Sequence, residues 1–439
     1  MAIVTGDILI AAPPLAAERK AFAYPMLGKW AIRYGVLALL ATLPYLPVFV
    51  QPFLSDDYLQ LDSGRKYGPV AAWESLIADP LYRCRATSIL LTHWTEQLFG
   101  TAPLPFYASS VLIHVINTWM VLLAGCRLGL GGVRSYLAST FFAVYLGHQE
   151  AVMWYAALPE LLLFFFCGCF LLSWNGYLRR GSTVQYALAI VWFLLALLSK
   201  EAGVVLVPMA AAMAYQRGRS VWRSAPLAFV AAIYTAAIFG AKSHHLHLND
   251  GTFSLAAPFA MTWARSISRM FWIWGFLAIA AIAFWQRRAW RSLVPPALWM
   301  GVALLPFSFL VYMPVVPSRH TYLASAGIGF VVAAGLLVAR ARFRAHRWVL
   351  PVLLIAVIAH HTGYIWVKKR PQFLERAAAT EDLLKIARGT VGPIYVTCFP
   401  YGREVAEKAI EITLFQPASR LVWDTPPPPG VTAYCAKDP

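Results

Sequence analysis

The sequence predicts an all-helical, multi-pass membrane protein carrying a small α/β tail. Of its 439 residues, 59% are hydrophobic and only 13% are charged, and the mean hydropathy is +0.60. A soluble domain carries roughly 25% charged residues because its surface must face water. Long apolar runs also recur from Tyr34 to Val367, with basic residues clustered between them. That alternation is the signature of helices threaded through a bilayer.

The apolar runs mark about eleven spans, at 34–53, 106–126, 135–147, 158–178, 184–199, 201–215, 224–241, 271–285, 293–315, 320–339 and 348–367. No small-residue cleavage site follows the first run, and Lys20, Lys29 and Arg33 precede it. It therefore reads as a retained helix with a cytoplasmic N-terminal segment at 1–33. Clusters at Arg179-Arg180, Arg217 to Arg223, Arg287 to Arg291 and Arg340 to Arg347 then fall on one side of the membrane. Together with Arg127, Arg134 and the N-terminal cations they hold twice the Lys and Arg of the opposite loops before residue 368, the bias expected of cytoplasmic segments. The formal net charge of +17 is thus spread over alternate loops. A nucleic-acid-binding module would concentrate it on one surface, so nucleic acid is not an expected partner.

Two non-membrane pieces interrupt the transmembrane domain at 34–367, both on the external side of this topology. The first loop, 54–105, is too long to be a simple connector. Within it Ala86 to Phe99 reads as an amphipathic interfacial helix, with Ile89, Leu90, Trp94 and Leu98 on one face. The tail, 368–439, reads as helix (371–388), strand (394–398), helix (402–412) and strand (420–423). About seventy residues form a marginal core, so the tail is expected to dock on the membrane domain. The six cysteines form no CxxC pair. Cys167 and Cys169 read as core residues of an apolar helix, whereas Cys398 and Cys435 lie in the external tail, where an oxidising compartment permits a disulfide.

The polar residues near the external ends of the spans are the candidates for chemistry. Asp56 and Asp57 open the first loop in Ser55-Asp56-Asp57-Tyr58. A carboxylate there can take a proton from an incoming hydroxyl, or Ser55 and Asp56 simply cap a helix. Arg83 and Arg85, in Tyr82-Arg83-Cys84-Arg85, suit a lipid phosphate or headgroup anchoring. His148, Gln149 and Glu150 form the next external turn, followed by Pro159-Glu160. Ser199-Lys200-Glu201 offers either an interfacial salt bridge or a lysine aimed at phosphate. Arg319 and Tyr322 lie in Pro317-Ser318-Arg319-His320-Thr321-Tyr322. His244, His245 and His247 fix no converging ligand geometry, and a polar loop explains them. No Walker loop and no Rossmann glycine fingerprint occurs, so a nucleotide-activated donor is not indicated.

These segments resemble the GT-C superfamily of polyprenyl-phosphate-dependent glycosyltransferases. The chain is most similar to the transmembrane O-mannosyltransferases and more distantly to aminoarabinose transferases. The resemblance rests on SDDY at 55–58, YRCR at 82–85, FFAVYLGHQEAVMWYAALPELL at 141–162, LLSKEAGVVLVP at 197–208 and SRHTYLAS at 318–325. It departs from the family where Cys84 replaces a proline and Ser318 a glutamate, and tetratricopeptide repeats are absent. The resemblance implies inverting transfer from a polyprenyl-phosphate sugar to a glycan, lipid or protein acceptor on the periplasmic face of a bacterial-type inner membrane. It further implies Asp57 or Asp56 as general base, Asp57 placed first, and Arg83, Arg85, Lys200 and Arg319 on the donor phosphate. Glu150, His148, Glu201 and Tyr322 are supporting residues; no cofactor is indicated, and a divalent metal is left open. The alternative is a flippase for a lipid-linked glycan, which should show internal repeats and polar groups at the midplane.

The topology has a direct test. Reporters fused after Arg217 and after Lys385 are expected in opposite compartments, and finding both in one compartment would overturn the arrangement.

Overall fold

The computed structural model describes residues 26–69, 74, 80–240, 254, 256–310, 314–428 and 433–436. All eleven apolar runs become helices. Among the described residues, eight are long and apolar enough to cross a membrane: Trp30–Val50, Pro103–Leu128, Tyr155–Arg180, Val221–Ile238, Phe259–Trp285, Trp290–Phe309, Ser325–Arg342 and Val349–Gly389. The remaining three runs fold as shorter helices of 13, 15 and 11 residues. The first of these is tolerated because the bundle, rather than lipid, covers most of its length.

In chain order the helices are α1 (Met26–Thr42), α2 (Asp57–Lys66), α3 (Pro80–Phe99), α4 (Pro103–Leu128), α5 (Gly132–Val144), α6 (Gln149–Met153), α7 (Leu158–Arg180), α8 (Thr183–Leu197), α9 (Leu206–Gln216) and α10 (Ala225–Gly240). There follow α11 (Phe259–Trp285), α12 (Val294–Leu304), α13 (Ser325–Arg342), α14 (Val349–Tyr364), α15 (Arg370–Gly389) and α16 (Arg403–Leu414). The centre of the bundle is α4, α5, α7 and α13, whose neighbours pack on several sides. Small residues let these helices approach closely, as membrane packing requires. A Cβ on Gly335 of α13 would lie 2.5 Å from Ala278 of α11. Gly181 (φ +71) ends α7 in the left-handed conformation and lets the chain turn at once into α8.

One end of the bundle carries the basic clusters. There Arg134 donates to the Ser292 carbonyl at 2.9 Å, Arg217 to Asn175 Oδ1 at 2.7 Å and Arg223 to the Tyr177 hydroxyl at 2.8 Å. The first loop and the tail lie at the opposite end. Two sequence expectations need correction here. Ile89 is buried, whereas Trp94 and Leu98 of the same helix are exposed, so the four residues do not share a face. The inward stripe of α3 carries Ser88, Thr92 and Thr95 and bonds to Gln60 and Tyr155. Moreover, the last span and the first tail helix are one continuous 41-residue rod, Val349–Gly389, joined by a π-helical turn at Ile365–Lys369.

At 1.5 Å per residue that rod is about 60 Å long, twice the hydrocarbon thickness, so it projects well beyond the bilayer. The tail is built on its far half. Strands β1 (Ile394–Cys398), β2 (Leu421–Trp423) and β3 (Ala433–Cys435) form a parallel sheet in the order β2-β1-β3. Helix α16 is the crossover between β1 and β2 that parallel pairing demands. The third strand follows a run of four prolines, Pro426 to Pro429, and had no periodic signal of its own. Tyr401 and Tyr434 donate to the α15 carbonyls of Arg376 and Ala379, each at 2.6 Å. Lys408 of α16 pairs with Asp62 of α2 at 3.2 Å, fixing the tail to the first loop.

Cys398 and Cys435 form a disulfide between β1 and β3, with Cα atoms 4.5 Å apart. Among the described residues Cys126, Cys167 and Cys169 are free thiols. Alkylation of the denatured protein without reductant should therefore label those three and spare Cys398 and Cys435. Replacing the pair with serine should destabilise the tail by about 3 kcal/mol, read from its unfolding midpoint; labelling of Cys398 and Cys435 in the unreduced protein would refute the bridge.

Candidate active site

The two adjacent aspartates stand in different surroundings. Asp57 is fully buried. Its Oδ2 accepts from the Leu54 amide at 2.9 Å and the Tyr107 hydroxyl at 2.8 Å, and its Oδ1 accepts from the Ala156 amide at 2.7 Å. Burial pushes the carboxyl up to about 7, against the downward pull of those three donors. The Tyr107 hydroxyl also lies 3.0 Å from the Pro52 carbonyl, so Tyr107 has an acceptor whichever state Asp57 adopts. Asp56, one residue earlier, is partly exposed. Burial raises its carboxyl above the ordinary aspartate value of 3.8, while Arg376 and Arg319 pull it back.

Those two arginines meet at Trp154. The guanidinium carbon of Arg319 lies 4.8 Å from the indole centroid, and that of Arg376 lies 4.5 Å from it. Glu150 orients Arg319: its Oε2 accepts the Arg319 amide at 3.1 Å and sits 3.8 Å from the guanidinium. Burial alone would raise the Glu150 carboxyl, but the Arg319 amide and the charges of Arg319 and Arg269 hold it below its usual value. Lys369, on the π turn, feels both Glu150 and Arg269. Arg319, Arg376, Arg269 and Lys369 thus lie near the acids Asp56, Asp57 and Glu150 at this end of the bundle.

Lys200 is placed differently from a free phosphate ligand. It is buried, forms a salt bridge with Glu160 of α7, and lies 3.0 Å from His320 Nδ1, which also contacts Glu160. The ring of Phe307 stacks on His320 at 4.6 Å and closes the pocket. Burial pushes the Lys200 ammonium down, and Glu160 opposes that shift. Glu201 does not pair with its neighbour Lys200; it takes Arg85 at 2.8 Å. Arg83 is carried by α3, but its side chain lies outside the described residues, as do His244, His245 and His247.

His148 and Tyr322 lie beneath this surface, both buried. His148 Nε2 is 2.6 Å from Ser325 Oγ, and the Tyr322 hydroxyl meets His114 Nδ1 at 2.8 Å. They hold α4, the 141–162 segment and the start of α13 together rather than facing an acceptor. Among the described residues, no group of three or more His, Cys, Asp and Glu side chains converges to hold a metal ion. A purely apolar cavity of ≈ 130 Å³, lined by Phe164, Pro296, Trp299 and Phe330 among others, lies elsewhere in the bundle.

No family model matches the sequence. The chain is 31% identical over 108 residues to the protein O-mannosyl-transferase Tmtc1 of Drosophila melanogaster, a match spanning 24% of this chain and 12% of that protein. Its fold is similar to that of ArnT from Cupriavidus metallidurans, solved bound to undecaprenyl phosphate. That match covers 90% of this chain and 86% of ArnT, at a TM-score of 0.58 and 13% identity. The Archaeoglobus fulgidus oligosaccharyltransferase, solved with a tethered acceptor peptide, matches over 88% of this chain and 63% of its own, at a TM-score of 0.51 and 13% identity. The chain shares the fold of these two proteins, and its apolar helices are those of a multi-pass membrane protein.

Sequence reasoning had no signal for Arg376 or Trp154. Arg376 sits in what reads as an ordinary soluble helix, and Trp154 reads as one more interfacial aromatic. Glu160 was visible as an acid beside an apolar span, but its partner is 40 residues away. The buried pair makes a clear prediction. Lys200→Met alone should destabilise the protein by about 3–5 kcal/mol, because it strands the Glu160 charge, whereas adding Glu160→Gln should restore most of the loss. Unfolding in detergent measures both; a single variant as stable as wild type would show the pair to be dispensable.

Proposed function

We propose that this chain is a glycosyltransferase of the cell envelope. It moves a sugar from a polyprenyl-phosphate donor to a glycan, lipid or protein hydroxyl on the periplasmic face of the inner membrane. The observation that carries the reading is a partly exposed carboxylate, Asp56, in the electrostatic field of Arg319 and Arg376, the two arginines seated on Trp154 at one end of the bundle. Undecaprenyl phosphate bound to ArnT supports a lipid phosphate as the donor's leaving group.

The chemistry follows from the charges. The acceptor oxygen attacks the anomeric carbon as its proton passes to the Asp56 carboxylate, and the bond from that carbon to the phosphate oxygen breaks. Attack opposite the leaving group inverts the anomeric centre. The donor phosphodiester carries one negative charge and the departing phosphate monoester approaches two. Cations already in place therefore stabilise the transition state more than the ground state. Arg319 supplies that charge, with Glu150 bonded to its backbone amide and 3.8 Å from its guanidinium. Lys200, tied to Glu160, acts as a support for the site rather than a donor ligand.

Of the two aspartates, Asp56 suits the base better than Asp57. Asp57 has no exposed surface and both its oxygens are committed to the fold.

Asp56→Asn should therefore lower transfer roughly 100- to 10,000-fold in a folded protein that still binds donor. Asp57→Asn should instead cost about 1–3 kcal/mol of stability, since its amide turns a donor toward groups that already donate. The raised Asp56 carboxyl gives a pH test: the base must be ionised, so wild-type transfer should fall as pH drops through a value above 3.8. Full transfer by Asp56→Asn would remove Asp56 as base, and loss of transfer in a fully stable Asp57→Asn would return the role to Asp57.

A further inference from the structure

Resting on that reading, we propose that the C-terminal segment completes the donor site. Arg376 of the tail and Arg319 of the bundle, both seated on Trp154, form a two-armed clamp for the phosphate of the lipid donor.

The geometry gives each arm a distinct origin. Arg319 enters from the turn before α13, Arg376 from α15, and Trp154 from the segment between α6 and α7. An indole face orients a planar guanidinium yet leaves its N–H edge free to grip an anion. Among the described residues Arg376 makes no salt bridge: its guanidinium contacts the rings of Trp154 and Phe373, the latter at 5.6 Å, and one of its five N–H groups is directed at the Tyr401 hydroxyl. Arg319 has one long-armed carboxylate partner, Glu150 at 3.8 Å. Both guanidinium groups therefore retain donors for a ligand.

A second observation points the same way. Trp154 is only 9% exposed, and its Nε1–H, which can only donate, has no acceptor among the described residues. Buried donors left without acceptors are uncommon and costly. A phosphate oxygen is an acceptor of the right sign beside two guanidinium groups. Arg269 and Lys369 add positive charge, against the two carboxylates Asp56 and Glu150.

Arg376 is also held in place. Tyr401 grips its carbonyl at 2.6 Å, Tyr434 grips that of Ala379, and Phe373 is buried one turn earlier. Lys408 fastens the same tail to Asp62, on the helix that begins at Asp57. The tail thus presents Arg376 from a fixed position relative to the aspartates.

The test uses the full chain in detergent, with sugar-free polyprenyl phosphate as probe and the phosphate-free polyprenol as control. Binding is followed by intrinsic tryptophan fluorescence and by the ligand-induced rise in Tm. Arg376→Ala should weaken binding of the phosphate lipid about 10- to 100-fold and leave polyprenol binding unchanged, as expected for loss of a charged hydrogen-bonding arm. Trp154→Phe keeps a ring but deletes the N–H, and should weaken the phosphate lipid about 3- to 10-fold. Should Arg376→Ala fail to fold, Arg376→Lys, which keeps the charge but loses the fork, should still bind the phosphate lipid measurably more weakly. Wild-type affinity in folded Arg376 variants would overturn the clamp. So would unchanged lipid affinity with a raised acceptor KM, which would place Arg376 on the acceptor. Arg376-dependent binding by a wild type that transfers no sugar would uphold the clamp and sink the glycosyltransferase reading alone.

Discussion

The site depends on the Asp57 carboxylate buried at the end of the first span. Its oxygens accept from Leu54 in the turn leaving the membrane, from Tyr107 at the start of the next long helix, and from Ala156 in the segment leading into α7. Three stretches of chain far apart in sequence are tied at one point. Gln51 reinforces the tie, reaching the Tyr107 hydroxyl at 3.2 Å and the Met153 carbonyl at 2.8 Å. The rings of Phe53, Phe106 and Tyr155 pack edge-to-face around it and exclude water. A buried carboxylate is costly unless its hydrogen bonds are complete, and here they are.

That tie fixes the register of what surrounds it. Asp56 precedes the locked residue, so its place is set while its side chain is left open. Trp154 lies two residues before Ala156, so the ring on which both arginines sit is positioned by the same bond. The Lys200–Glu160–His320 group does similar work on the other flank, joining α7, the start of the 201–205 turn and the residues just before α13. A buried ion pair adds little net stability but strongly opposes any arrangement that separates its members. Rigid support of this kind is what a site relying on fixed charge requires.

Much of this was legible in the sequence because the bilayer imposes a strong code. Apolar length gave the eleven apolar helices of the bundle, including the short ones, but not the five-residue helix Gln149–Met153. The tail's helix-strand pattern was legible too, except for β3, where three residues after a proline run carry no periodicity. The roles within the site were harder. Asp56 and Asp57 are chemically identical neighbours, and only the direction of each side chain separates a staple from an open carboxylate. Lys200 sits beside Glu201 in sequence yet pairs with Glu160, because contact across helices is fixed by packing and not by adjacency. The break expected between the last span and the tail failed for a related reason. Pro371 follows directly on the π-helical turn Ile365–Lys369, where the hydrogen-bond register of the helix already shifts, so the loss of one amide is accommodated there and the rod runs on through it.

The continuity of that rod explains how a marginal tail can take part in a site at all. About seventy residues bury too little apolar surface to hold an arginine rigidly by themselves. Built on a helix anchored in the bundle, the tail inherits its position from the membrane domain. The disulfide between β1 and β3, the two tyrosine bonds onto α15 and the Lys408–Asp62 pair then remove most of its remaining freedom. On the proposed reading this solves an electrostatic problem. A cation drawn only from the bundle's edge would have to stand in lipid headgroups, where competing phosphates would occupy it. One delivered from the solvent side onto the Trp154 ring meets the donor phosphate from above, while Arg319 meets it from the bundle. The leaving group then separates its charge between two guanidinium groups whose backbones belong to different parts of the fold, and neither must move as the bond breaks.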